Sequence, residues 1–196
     1  MKKFLSVAMA LFVMYWGLLF VGCSKVEKGN IDPQSTTLTI TIPAKEVPFT
    51  IDPASFAGAN ELRGGSEKVL YEDIIEWDYE EALESHGINP QALQRVRIKG
   101  LDILFIEPQD LDVVPFRTFK AYMGTPYDLV AEGDSQTEGT EKKVDFIIHK
   151  PDFLKLLQSK NIPIKLTCEG QIPPVPNKIE AVLTIKVEVT GFLSDM

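Results

Sequence analysis

The reactive side chains of this 196-residue chain are few: two cysteines, Cys23 and Cys168, and two histidines, His86 and His149. Cys168 shares strand parity with Ile164 and Leu166, which turns it towards a core where a thiol is inert. His149 lies opposite the apolar parity of its own segment. His86 closes an expected helix, where an imidazole complements the helix dipole. Two histidines leave little material for a His-based metal site. Carboxylates are plentiful, with Glu72, Asp73, Glu76, Asp78, Glu80, Glu81 and Glu84 in one stretch. A glycosidase needs two such groups held across a cleft. Calcium could sit among them or in Asp134-Ser135-Gln136-Thr137-Glu138, although the EF-hand spacing is missing. A solvated acidic face is the expected state of the stretch. No Gly-x-Ser-x-Gly, no Gly-x-x-x-x-Gly-Lys-Ser/Thr and no His-Glu-x-x-His occurs. No catalytic residue, cofactor or metal is therefore expected.

Aromatic and apolar side chains offer binding rather than catalysis. Tyr71, Ile75, Trp77 and Tyr79 share one parity; exposed, they would stack on sugar rings, but a core face is the expected reading. Tyr122 and Tyr127 flank Gly124-Thr125-Pro126 and are better placed for the surface. Ile172 and Val175 lie in the Pro-rich stretch Gly170-Gln171-Ile172-Pro173-Pro174-Val175-Pro176-Asn177, whose prolines make it stiff. Apolar groups on a turn point to a contact, with a partner or with the domain itself. Tyr122, Tyr127, Ile172 and Val175 form the candidate binding surface.

The elements that must position these residues read as strands. Leu38, Ile40 and Ile42 alternate with threonines. Val144, Phe146 and Ile148 alternate, as do Ile164, Leu166 and Cys168. The last strand is clearest, with Ile179, Ala181, Leu183, Ile185, Val187 and Val189 on one face and Val182 the exception on the other. One buried and one wet face marks an antiparallel sheet. Further strands are expected over 47–52, 68–77, 96–107, 117–123 and 128–132. The apolar parity of 96–107 changes at Gly100, which predicts a bulge at Lys99-Gly100. A helix is expected over 78–86, with Asp78 as N-cap, Glu81 as its capping-box partner and Gly87 as its C-cap. Asn89-Pro90 is expected to start a helical turn through Gln94, and 151–159 a second short helix. The polar segment 133–142 is expected to be mobile. The pattern, without an internal repeat, predicts a mainly β, antiparallel two-layer β-sandwich, immunoglobulin-like or Greek-key, with two short helices.

Composition narrows the function classes. Apolar residues at 44% and charged residues at 24% describe an ordinary globular chain. Twenty Lys and Arg against 28 Asp and Glu leave a charge of −8, which argues against nucleic acid, because phosphate backbones demand clustered cations. Two cysteines cannot make a disulfide scaffold.

The N-terminus carries an address. Lys2 and Lys3 precede an uncharged run of 18 residues, Phe4 to Val21, and the run ends at Phe20-Val21-Gly22-Cys23. This resembles a bacterial lipoprotein precursor, in which a lipobox is cut between Gly22 and Cys23 and the cysteine is acylated. Val21, Gly22 and Cys23 match the motif, and Phe20 stands where Leu is usual. The resemblance covers only the first 24 residues. It implies a signal peptide over 1–22, a lipidated Cys23 with a polar tether over 23–35, and a single sandwich domain over 36–196. Several acyl chains together anchor stably, where one would be marginal. Ser24 after the cysteine fits an outer-membrane lipoprotein of a Gram-negative bacterium, with the periplasmic face favoured over the cell surface. The expected function is that of a non-enzymatic, membrane-anchored module binding an envelope protein or glycan. The alternative is a tethered hydrolase using paired carboxylates.

Overall fold

The computed structural model describes residues 37–56, 67–140, 142–173, 175 and 177–193. The expected signal peptide over 1–22, with Gly22, and the expected lipidated Cys23 and tether over 23–35 lie outside the described residues. Thr36–Met196 is one compact unit. Among the described residues no helix is long and apolar enough to cross a membrane.

Among the described residues, ten strands build two antiparallel sheets. In chain order they are β1 (Thr37–Thr41), β2 (Lys45–Ile51), β3 (Lys68–Glu76), β4 (Ile88–Glu107), β5 (Thr118–Met123), β6 (Asp128–Asp134), β7 (Lys143–Asp145), β8 (Ile147–Ile148), β9 (Asn161–Cys168) and β10 (Ile179–Leu193). One sheet runs β1–β10–β4–β7, with β2 also paired to β10 beyond β1. The other runs β3–β9–β5–β6–β8. If β1 and β2 count as one place and the short β8 is set aside, the chain crosses between sheets at β2–β3, β3–β4, β4–β5, β6–β7, β7–β9 and β9–β10. That order is the double Greek key of a jelly roll and not the immunoglobulin arrangement.

The alternation in the sequence is what closes the sandwich. All six inward residues of β10, from Ile179 to Val189, are buried, facing Val96, Ile98, Leu101, Ile103 and Phe105 along β4. The opposing sheet contributes Phe119, Ala121 and Met123 from β5 and Ile162, Ile164 and Leu166 from β9. Each such side chain contributes roughly 1.5–3 kcal/mol when fully buried. Phe105 and Phe119, one from each sheet, stand 6.0 Å apart between ring centres, with Phe116 5.4 Å from both. Trp77, Tyr79 and Ile75 are buried and Tyr71 packs against Phe49 at 5.3 Å, so that aromatic parity is core. The parity change in β4 is a bulge: Lys186 pairs with Gly100 and Val187 with Ile98, leaving Lys99 unmatched.

Several local expectations give way to long-range pairing. Residues 89–94 form no helical turn. Ile88 pairs with Leu193 and Leu93 with Gly191, and the surplus residues around Pro90 sit at a register irregularity between those pairs. Segment 144–149 is two short strands on different sheets, because the chain crosses there: the Phe146 N–H bonds Leu101 O at 2.9 Å and the His149 N–H bonds Val130 O at 2.8 Å. β1 is an edge strand, so Leu38 is exposed and Ile40 half-buried, and only Ile42 reaches the core. The helices are shorter than expected, α1 at Glu80–Glu84 and α2 at Leu154–Gln158. Tyr79, not Asp78, is the N-cap of α1 and makes no side-chain cap bond. Asp78 instead accepts the Glu80 N–H at 3.4 Å. The C-cap is Ser85 and not Gly87; Gly87, at φ 71°, closes the turn that follows the helix. Segment 133–142 is expected to be mobile, but its described turn at 134–138 is pinned: Ser135 is buried, its N–H bonds Arg117 O at 2.8 Å and its hydroxyl donates to Val114 O at 3.1 Å.

Candidate functional site

Strand pairing assembles the candidate face on the outside of the second sheet. Outward positions fall on rungs that run across it. Glu72 of β3 stands beside Lys165 of β9, which stands beside Tyr122 of β5, which stands beside Leu129 of β6. The next rung carries Val69, Thr167, Lys120 and Glu132. On the other side Ile74 pairs with Pro163. The intervening residues, such as Ala121, Met123, Ile164 and Leu166, are buried, which is why these point outwards.

Tyr127, from the turn between β5 and β6, lies over this face. It is 38% exposed, and the Lys165 ammonium sits 5.7 Å from its ring centre, within cation–π range. Partial burial, with the Glu72 carboxylate beside it, pushes the Tyr127 phenol above its ordinary range. An aromatic ring, a cation and a carboxylate therefore share one surface. Exposed Ile74 and Val69 add apolar area to it.

Tyr122 is differently used. Its hydroxyl donates to both oxygens of Glu67, at 2.8 and 3.0 Å. Glu67 also accepts from the Lys120 ammonium at 2.8 Å and from the Thr167 hydroxyl at 3.3 Å. Lys120 is shared with Glu169. The Lys120 bond holds the Glu67 carboxyl below the usual carboxylate range, with Tyr122 adding to the effect. Glu169, then Glu67, push the Lys120 ammonium up. Half-buried and hydrogen-bonded, Tyr122 braces the face and leaves Tyr127 as its open ring.

Two members of the sequence-based surface are corrected. Ile172 is buried, at 4% exposure, and Val175 packs against the core cluster. The segment around them is tied to the domain by Gly170 N–H to Phe116 O at 2.8 Å and Gln171 N–H to Pro115 O at 2.7 Å. Their apolar groups are spent on the domain itself. Cys168 is buried, and burial pushes its thiol up to about 11. His149 and His86 are exposed, His149 bonded to Glu132 at 3.1 Å and His86 Nδ1 lying 2.9 Å from Ala82 O. Lys165 was not singled out by sequence reasoning, and Glu72 only as one of an acidic stretch. The signal that could have found them is their outward parity, but the pairing that sets them beside Tyr127 joins segments far apart in the chain.

Among the described residues, the acidic stretch from Glu72 to Glu84 lines none of three surface grooves. One groove holds Asp128 and Asp152, another Asp110 and Asp112. Asp128 is ion-paired to Lys150 at 2.9 Å. Asp152 accepts the Leu154 N–H at 3.2 Å and Asp112 the Val114 N–H at 3.0 Å. In the 134–138 turn, Asp134 accepts the Gln136 N–H at 2.7 Å and Glu138 the Asp134 N–H at 3.1 Å. These carboxylates are spent on structure. No group of three or more His, Cys, Asp or Glu is placed to hold a metal among the described residues.

No family model matches the chain and no curated protein matches it. Among solved structures it is similar to the infectious bursal disease virus VP2 subviral particle, at 14% identity and a TM-score of 0.25, over 80% of this chain and 33% of the viral one. A structure of the Gx strain of the same virus gives 13% identity and a TM-score of 0.25, over 79% of this chain and 31% of the viral one. The chain thus spans about a third of each viral chain, and at that TM-score neither likeness carries an argument.

Proposed function

We propose that this protein is a lipid-anchored envelope module without catalytic activity, whose sandwich binds a glycan on the outer face of the β3–β9–β5–β6 sheet. The observation that carries the binding reading is the open Tyr127 ring, flanked by Lys165 and Glu72 on an ordered strand surface. An aromatic face supplies apolar contact to a sugar ring, and the adjacent ammonium and carboxylate supply hydroxyl partners. The hydrolase reading is less favoured, because three of the four carboxylates in these two grooves, Asp128, Asp152 and Asp112, are engaged by lysine or by backbone N–H groups. The anchor rests on Phe20-Val21-Gly22-Cys23: acylated Cys23 holds the domain on a bilayer, at the periplasmic face of a Gram-negative outer membrane.

Two measurements test the proposal. The intact chain is screened on a glycan array beside Tyr127→Ala. Retained glycans that are lost in the variant support the face, and equal retention by both refutes it. Protein-only retention would reassign the face to a protein partner. Separately, Cys23→Ser is expressed and fractionated. Loss of processing and of acyl-chain labelling supports the anchor, and unchanged maturation refutes it.

A further inference from the structure

A groove of about 580 Å³ opens beside the N-terminal half of β4, where the 149–154 loop crosses from one sheet to the other. In a chain of net charge −8, its ionisable lining is Arg95, Arg97, His149 and Lys150 against the single acid Asp152. Val96 and Ile98, which alternate with the arginines, are buried, so Arg95 and Arg97 leave the same side of the strand. Their backbone is fixed on both flanks. Val96 O accepts the Phe153 N–H at 3.0 Å, the Ile98 N–H bonds Pro151 O at 2.8 Å, and the other edge pairs with Val187 to Thr190 of β10.

The cations of the groove differ in what they already hold. Lys150 is paired with Asp128 at 2.9 Å and His149 with Glu132 at 3.1 Å. Asp152 spends an oxygen on the Leu154 N–H. Arg95 and Arg97 have no ion pair and no side-chain hydrogen bond among the described residues. Two guanidinium groups two residues apart on a strand lie about 6.6 Å apart at their roots and repel each other. An oxyanion between them removes that repulsion, and the guanidinium fork matches a phosphate or carboxylate in two-point contact.

We infer that this groove binds the oxyanion group of a ligand, a phosphate above all, clamped by Arg95 and Arg97, with Pro151 and Leu154 as its apolar lining. It is carried by β4 and the 149–154 loop, not by the rungs of the tyrosine face, and does not depend on the glycan reading. The phosphate could belong to a phospholipid headgroup or to a soluble molecule, and the test separates the two.

The full chain in neutral detergent micelles is titrated with inorganic phosphate at constant ionic strength, by calorimetry. Saturable binding is expected, weakened at least tenfold by Arg97→Gln or Arg95→Gln and abolished by both together. Lys178→Gln, an exposed lysine just before the distant start of β10, and Tyr127→Ala should leave it unchanged. Doping the micelles with phosphatidylglycerol then distinguishes the sources. Competition with phosphate in the wild-type chain assigns a lipid headgroup, and its absence beside retained phosphate binding assigns a soluble anion. Absence of saturable binding in both media, or binding that Arg95→Gln/Arg97→Gln leaves intact, overturns the inference.

Discussion

Phe119→Ala should remove the contact that joins the two sheets. The ring is fully buried and stands 5.4, 6.0 and 6.4 Å from those of Phe116, Phe105 and Phe146. Those rings come from a loop, from β4 in the opposite sheet and from the crossing between β7 and β8. Truncating a buried phenylalanine costs about 3–5 kcal/mol, and ring–ring geometry adds about 0.5–1.5 kcal/mol per pair. Fixed sheets on either side leave little room for collapse into the cavity, so a loss of about 4–5 kcal/mol is expected. Domains of this size lose about 2–4 °C of Tm per kcal/mol, giving a fall of roughly 10–15 °C. Urea unfolding followed by far-ultraviolet circular dichroism, with a thermal scan, measures both. Ile147→Ala is the control: its side chain is 56% exposed, and the change should stay within about 0.5 kcal/mol. A Phe119→Ala loss below about 1 kcal/mol, or one equal to the control, would refute the claim that this cluster clamps the sandwich.

Other expectations follow from single contacts. Gly170→Ala places a Cβ 2.1 Å from Pro115 O and 2.3 Å from the Phe116 backbone, so denaturant titration should show a loss of about 1–3 kcal/mol. Glu67→Gln should flatten the acid limb of the stability profile. The folded carboxyl lies below its unfolded value, so its contribution is present above the unfolded pKa and fades as pH falls through the folded one. With its side chain 35% exposed, it is worth no more than about 1 kcal/mol. Cys168 should resist Ellman's reagent in the native state and react at once in urea. Its folded thiol, at about 11 against an ordinary value of 9.0, means that the unfolded chain ionises first, so stability falls as pH rises between those values.

Residue order alone determined most of the strands, because the period of two is local: β10, β9, β5 and the Lys99 bulge of β4 are written in the parity of their apolar residues. It also carried the burial of Cys168 and Trp77. Tertiary pairing decided what no local pattern holds. Asn89-Pro90 became strand because β10 needed a partner there, and 143–148 was divided because one half pairs with β4 and the other with β6. Ile172 and Val175 were drawn onto the core, while Glu72, read only as part of an acidic stretch, and Lys165, unremarkable in the sequence, were set beside Tyr127. Arg95 and Arg97 face a groove because the 149–154 loop docks on β4. A strand's two faces follow from its own side chains, whereas its neighbours are chosen by the burial of surfaces that segments distant in the chain supply.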